Sequence, residues 1–232
     1  WMDPLTETRL WPHEYSPIYR LYDKLFGCRG HGWSNLQSTH INLPFGGDEE
    51  FARLHTAIRL VLPLLPALAA SSPFAEGRVT GQLDTRLDYY VKNQVRFPSI
   101  AGRIIPDPVR SEEEYRERIF VPMMVDVSPY DPEGLLDPHF LNSRGAIARF
   151  DRGSIEIRLL DIQDTPEADL STLILIVETI RGLVEERWSS FNSQLNVYTE
   201  SLRALLDDTI VFGERAVMKN EAALKAFGLK EE

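Results

Sequence analysis

Two long segments carry the periodicity of helices. Between Glu14 and Phe26, apolar and aromatic residues recur at helical spacing, and the glycines that follow predict where this helix ends. A second helical pattern begins after Asp48, a good N-cap, and reaches about Ala70. Its second half is apolar almost all round, which predicts a position deep in the core. Pro63 and Pro66 predict a kink there.

Three other segments alternate with the period of a β-strand. Residues 35–45 form one predicted strand, with Ser38, His40 and Asn42 on a polar face. Residues 145–150 and 154–160 form the clearest hairpin, joined by Asp151-Arg-Gly153. On its second strand, Ile155, Ile157 and Leu159 share one face; the other face takes Ser154, Glu156, Arg158 and Leu160.

The remaining pattern is mostly helical. Short helices are predicted at 84–96 and after Ser111. Ser111 and Glu114, three residues later, form a predicted capping box at the start of the second helix. Two helices are predicted between 167 and 210, with a break near 189–193, and a last helix at 214–227. Loops or turns are predicted at 71–81, 97–109 and 127–138. The mixture indicates an α+β fold in which an antiparallel sheet packs on helices.

Charge and composition exclude several classes of function. The 232 residues hold 35 acidic and 25 basic side chains, for a net charge of −10, so bulk electrostatics do not favour nucleic acid. The longest apolar run, 60–70, is too short to span a membrane. Cys28 is the only cysteine, which allows no internal disulfide and fits a reducing cytoplasm. We therefore expect a cytoplasmic protein with no nucleic-acid or membrane partner.

The hairpin carries the strongest candidate chemistry. Glu156 and Arg158 place a carboxylate and a guanidinium side by side on one strand, and Arg149 on the partner strand adds a second guanidinium to that face. The alternative interpretation is a solvated outer face with a cross-strand ion pair that contributes little. The sequence pattern alone favours this alternative.

Elsewhere the candidate residues are isolated. His40 is a structural residue more often than a metal ligand when taken alone, and Arg86 taken alone is a surface arginine. The other histidines show no ligand spacing with His40, and nothing resembles a zinc site. Phosphate-binding glycine loops, a serine-hydrolase elbow and a Cys–His pair are all missing from the sequence.

Taken together, four stretches resemble the glutamate–cysteine ligase family and its carboxylate–amine ligase relatives. Their order and spacing follow the family, and no single stretch is decisive. They are Thr39-His-Ile-Asn-Leu-Pro-Phe45, the segment 64–77 that ends Ser-Ser-Pro-Phe-Ala-Glu-Gly, Thr85-Arg86, and Ile147-Ala-Arg-Phe-Asp-Arg-Gly-Ser-Ile-Glu-Ile-Arg-Leu-Leu-Asp161.

The resemblance implies a fold and a reaction. The fold is similar to the catalytic domain of glutamine synthetase, a curved antiparallel sheet whose concave face holds ATP, Mg²⁺ (or Mn²⁺) and glutamate. ATP phosphorylates the substrate carboxylate, and an amine such as cysteine then attacks the acyl phosphate. The metal neutralises phosphate charge, and arginines stabilise the charge that develops during transfer. The small-molecule partners implied are therefore ATP, glutamate or a similar carboxylate, and an amine.

The resemblance also implies roles for eight residues. Glu156 and His40 match positions at the metal site. Arg158 and Arg86 match arginines that face the phosphoryl group and the substrate, as catalytic residues. Substrate or ATP contacts are implied for Asn42, Arg149, Tyr89 and Tyr90; the match at Arg149 is weaker, and the two tyrosines do not align securely.

The resemblance covers part of the family pattern. The predicted organisation is a ligase-like catalytic domain at 1–183, the C-terminal two-thirds of the family's domain, with a helical segment at 184–232 packed on it. The family opens with a strand bearing closely spaced glutamates, which these residues do not contain. We therefore expect this chain to bind Mg–ATP weakly and to turn over little. A ligase with another acceptor, a non-catalytic binding fragment and a homo-oligomer all stay open.

Overall fold

The computed structural model describes residues 9–33 and 36–230 of the chain. The strands are β1 Ser38–Pro44, β2 Phe74–Ala75, β3 Arg78–Val79, β4 Ala146–Arg149 and β5 Ser154–Asp161. The α-helices are α1 Ser16–Phe26, α2 Gly47–Val61, α3 Leu65–Ala69, α4 Thr85–Lys92, α5 Pro98–Ala101, α6 Glu112–Tyr115, α7 Val121–Val127, α8 Pro138–Leu141, α9 Pro166–Val184, α10 Phe191–Leu195, α11 Thr199–Phe212 and α12 Glu221–Ala226. A π-helical turn, Arg116–Phe120, joins α6 to α7, and four 3-10 turns cover Leu62–Leu64, Ser128–Tyr130, Phe150–Arg152 and Gly213–Arg215.

The main sheet is antiparallel and has the order β1-β5-β4, with β5 in the centre. One face of β5 is buried through Ile155, Ile157 and Leu159, and α3 packs against the strand. α9 in turn packs on α2. These elements confirm the predicted α+β class and the predicted hairpin. The sequence missed the small β2–β3 hairpin, since two-residue strands are too short to alternate visibly.

The long apolar helix is interrupted where its prolines lie. α2 ends at Val61, a 3-10 turn follows, and α3 begins at Leu65. The predicted kink is confirmed, because Pro63 and Pro66 lack the backbone N–H that a continuous helix needs. The predicted N-cap is wrong. Gly46 occupies that position, and Asp48 instead accepts a hydrogen bond of 2.9 Å from the backbone N of Glu112.

Among the described helices, only the stretch Gly47–Ala69, which covers α2, the 3-10 turn and α3, is long and apolar enough to pass a test for crossing a membrane. Most of it lies inside the fold: 72% of its apolar window is buried. Core helices pass the same test on length and composition, so this stretch is weak grounds for a membrane span.

The C-terminal third differs from the sequence prediction in its breaks. Three helices, α9 to α11, replace the predicted two, and the predicted break lies slightly earlier, between the end of α9 at Val184 and the start of α10 at Phe191. Ser190 caps α10 by accepting from the backbone N of Ser193, which is the cap chemistry that serine favours. The last helix is also shorter than predicted. α12 begins at Glu221, after a 3-10 turn and an irregular stretch.

Candidate functional site

The candidate site lies on the face of the sheet opposite the core. Asn42 of β1 pairs with Glu156 of β5, and paired residues project to the same side. His40 lies two residues before Asn42 on that side. Its Nδ1 is 3.4 Å from Oε1 of Glu156, and its Nε2 is 2.9 Å from Oγ of Ser38. The structure therefore brings His40 and Glu156 together, as the sequence predicted.

Glu156 lies between an imidazole and a guanidinium. Nε of Arg158 is 3.2 Å from the same Oε1, in a direction that makes no good hydrogen bond. The pKa of Glu156 is lowered, mainly by the hydrogen bond with His40 and then by the charge of Arg158, against an opposing effect of burial. The side chain of Glu156 is only 14% exposed. This partial enclosure differs from the alternative of a fully solvated face.

A register shift in the β1–β5 pair changes the face of two residues. Thr39 pairs with Leu160 and Ile41 with Ile157, so β5 has one more residue than β1 between these pairs. The strict alternation predicted for β5 is therefore wrong at its end. Leu160 does not join Glu156 on the polar face but lies opposite Thr39, buried to 1% exposure.

The same shift brings Asp161 onto the polar side. Asp161 pairs with Ser38, and Ser38 shares its face with His40. One residue in excess therefore extends the polar face to the end of β5. The alternation of the sequence had assigned no role to Asp161, although it closes the fourth matching stretch.

Arg149 lies on the polar face, as predicted. It pairs with Ser154, two residues before Glu156. Its Nε and Nη2 donate to the two carboxylate oxygens of Asp151 at 3.0 and 2.8 Å. This fork raises the pKa of Arg149 and lowers that of Asp151. Arg149 is thus held at the edge of the face by the turn that joins β4 to β5.

Arg86 is buried at the far end of the polar face rather than in the cluster around Glu156. α4 begins beside it because Asp84 caps the helix, accepting from the backbone N of Leu87 at 2.9 Å. Nε of Arg86 donates to Asp161, and Nη2 donates to the carbonyl of Leu159 at 2.7 Å. The interpretation of Arg86, taken alone, as a surface arginine is wrong, because the residue is only 3% exposed.

Tyr89 and Tyr90 lie on α4, within five residues of Arg86. The hydroxyl of Tyr90 donates to the carbonyl of Arg144 at 3.4 Å, and its ring packs on the core. The Tyr89 ring lies 5.1 Å from the ring of His31, edge to face. Their substrate-binding role stays a prediction.

The polar face offers limited ligands for a metal ion. Among the described residues, no group of three or more His, Cys, Asp or Glu side chains lies close enough to hold one. Glu156 and His40, with the amide of Asn42 on the same face, offer two oxygens and one nitrogen. Mg²⁺ takes six oxygen ligands, so these residues fit a cation that is shared with water and phosphate oxygens. The imidazole suits Mn²⁺ better than Mg²⁺.

Comparison with known proteins places the chain in a family. The model of glutamate–cysteine ligase family 2 matches residues 2–216. The chain belongs to this family. It is 33% identical over 211 residues to an uncharacterized protein of Archaeoglobus fulgidus, covering 89% of this chain and 57% of that protein. It is 30% identical over 177 residues to a Nocardioides protein named "Putative glutamate--cysteine ligase 2-1", covering 75% of this chain and 41% of that protein.

The chain thus spans about half the length of these two relatives. No solved structure matches it.

Proposed function

We propose that this glutamate–cysteine ligase family 2 chain carries the active-site face of an ATP- and Mg²⁺-dependent carboxylate–amine ligase. Its donor is glutamate or a similar carboxylate, and its acceptor is an amine such as cysteine. The observation that carries the proposal is the cluster of Glu156, His40 and Arg158 on the partly enclosed face of the sheet. The family match supports the ligase class.

The chain's own side chains would divide the work of positioning and charge stabilisation. Glu156, His40 and Asn42 would hold the cation, which would neutralise phosphate charge and orient ATP. Nη1 and Nη2 of Arg158 make no hydrogen bond with the described residues, and the side chain is 29% exposed. These two donors are free to contact oxygens of the phosphoryl group as charge develops on them.

Further residues extend the proposed site along the sheet. Arg149 at one end and Arg86 at the other add positive charge to a chain whose net charge is −10. Local arginines of this kind are what an acidic protein needs to hold anionic substrates. Tyr89 and Tyr90 are proposed to border the site for the amine.

The wider setting belongs to the same proposal. The sheet would be similar to the curved sheet of glutamine synthetase. The enzyme would work in the cytoplasm, without nucleic acid or membrane, alone or as a homo-oligomer. With cysteine as the acceptor, the reaction would serve glutathione biosynthesis.

The test is a sensitive assay of ADP formation by the chain, with ATP, Mg²⁺, glutamate and a panel of amines. We expect slow ADP formation that requires both glutamate and an amine, and that Glu156→Gln abolishes. Glu114→Gln serves as the matched control, since Glu114 is also half-buried but only accepts from the backbone N of Arg110.

The outcomes separate the alternatives. ADP formation with a different amine would keep the ligase and change its acceptor. Binding of Mg–ATP without ADP formation under any condition would favour a non-catalytic binding chain. If the chain neither binds Mg–ATP nor forms ADP, the proposal is overturned.

A further inference from the structure

A buried ion pair ends the polar face of the sheet. Asp161 is 3% exposed and Arg86 is 3% exposed, and Nε of Arg86 donates to Oδ1 of Asp161. With Nη2 fixed by the carbonyl of Leu159, one edge of the guanidinium is fully occupied. Nη1, on the opposite edge, makes no hydrogen bond with the described residues. The protein thus fixes the orientation of Arg86 and leaves the two N–H groups of Nη1 unused by the described residues.

The other oxygen of Asp161 holds a turn. Oδ2 accepts from the backbone N of Ser71 at 2.9 Å and from Oγ of Ser72 at 2.7 Å. Oγ of Ser72 in turn accepts from the backbone N of Arg86 at 3.1 Å. One carboxylate therefore joins β5, the turn after α3 and the start of α4. Removing its charge would loosen all three around Arg86.

A second buried carboxylate, that of Asp84, determines the net charge of the group that it forms with Asp161 and Arg86. Asp84 is fully buried, and its Oδ2 has no partner among the described residues. Burial, and then the charge of Asp161, raise the pKa of Asp84 to about 7, while Arg86 lowers it. From α11, the carbonyl of Ile210 accepts a hydrogen bond from the backbone N of Asp84. Near neutral pH, a large fraction of Asp84 is therefore protonated.

We propose that Asp161 is a positioning residue, which holds Arg86 so that Nη1 faces an anionic group of the substrate at the Ser38 end of the polar face. This inference rests on the proposed function. The anionic group is a phosphate of ATP or the carboxylate of the donor. While Asp84 keeps its proton, the group has one carboxylate and one guanidinium and does not repel the anion. Once Asp84 ionises, it competes for Arg86 and repels the anion.

The test is isothermal titration of the chain with Mg–ATP and, separately, with glutamate between pH 6 and 8. Asp161→Asn should weaken binding of one ligand about tenfold, as expected for loss of a charged hydrogen bond. The ligand affected identifies the anionic group. Binding of that ligand to the unaltered chain should weaken as pH rises through 7, and Asp84→Asn should remove this dependence. Asp161→Asn should also shift this dependence to lower pH, because the charge of Asp161 raises the pKa of Asp84, and a merely structural role of Asp161 would not produce that shift.

Asp131→Asn is the matched control. Asp131 is 8% exposed and accepts from the backbone N of Leu135 and Leu136, so its loss also costs stability. It should leave both affinities and their pH dependence unchanged. Unaltered affinity for both ligands in a folded Asp161→Asn chain overturns this inference alone. Failure of the unaltered chain to bind either ligand overturns the proposed function, and the inference with it.

Discussion

Nδ1 of His40 lies 3.4 Å from Oε1 of Glu156 across the β1–β5 pair. The two residues are more than a hundred positions apart in sequence, and the pairing of Asn42 with Glu156 brings them together. The site is therefore built on backbone hydrogen bonds between strands rather than on a loop. A site on paired strands holds its geometry more firmly than one on a loop.

Metal affinity tests the central carboxylate. The lowered pKa of Glu156 keeps it ionised at neutral pH, which is the form that binds a cation. We expect Glu156→Gln to weaken Mn²⁺ binding by at least about tenfold, since mutation of residues that only support a metal ligand already lowers metal affinity by about that factor. His40→Ala should have a smaller effect. Electron paramagnetic resonance of free Mn²⁺ measures both, with Glu114→Gln as control, and unchanged affinity in Glu156→Gln would exclude Glu156 as a ligand.

Turnover tests Arg158. A lysine keeps the charge but loses the planar fork, so its main deficit should appear when charge develops in the transition state. We expect Arg158→Lys to lower kcat about 10²-fold, with a smaller rise in KM for ATP. Arg203→Lys is the control, because Arg203 is also partly buried and paired with a carboxylate, that of Asp207. Near-normal kcat in a folded Arg158→Lys chain rules out the catalytic role.

The sequence could predict the polar face because alternation is a local property. His40, Asn42, Glu156 and Arg158 lie where period two places them. Asp161 and Leu160 could not be placed, because the register shift depends on how β5 pairs with β1. Burial of Arg86 was hidden for a related reason: its partner Asp161 is 75 residues away. Long-range pairing of this kind leaves no periodic signal.

The pH dependence of unfolding tests the raised pKa of Asp84. Its pKa is raised to about 7 in the folded chain, so the folded state binds more protons than the unfolded state between about pH 4 and 7. Stability is full below this window and falls as pH rises through it. Asp84→Asn keeps the cap of α4 and removes the charge, so its free energy of unfolding should rise by about 4 kcal/mol at pH 8, from about 3 pKa units at ~1.4 kcal/mol each, and by little at pH 4. Urea unfolding at both pH values checks this, and an equal or lower stability at pH 8 would contradict it.

His55 should give stability a pH dependence opposite to that of Asp84. It is fully buried against the rings of Phe51 and Tyr115, and neither ring nitrogen has a hydrogen-bond partner in the described part of the chain. Burial, then Arg59 and Arg144, lower its pKa to about 3, so the unfolded state binds more protons between pH 3 and 6.5. Stability is therefore lost as pH falls through 6.5.

We expect His55→Phe to raise stability by about 2 kcal/mol more at pH 5 than at pH 8, from 1.5 pKa units at ~1.4 kcal/mol each. Thermal unfolding at the two pH values measures the difference. Phe51→Leu provides the control, since it alters the same aromatic packing without a titratable group and should lower both melting temperatures alike. A gain that is the same at both pH values would show that His55 does not titrate as described.

The extra residue in β5 makes the length of this strand as important as its composition. The alternation of side chains in the first half of the strand is out of phase with that in the second half. The polar residues of both halves lie on the same side of the sheet only because one extra residue separates them. Deleting a residue between Ile157 and Leu160 would remove the bulge and leave Asp161 opposite Ser38 on the polar side, but it would displace the Leu159 carbonyl that Arg86 also binds. Arg86 would then keep its carboxylate but lose the second group that fixes its orientation. The site should accordingly tolerate only apolar substitutions of similar size at the buried Leu159, and it should be sensitive to the number of residues there.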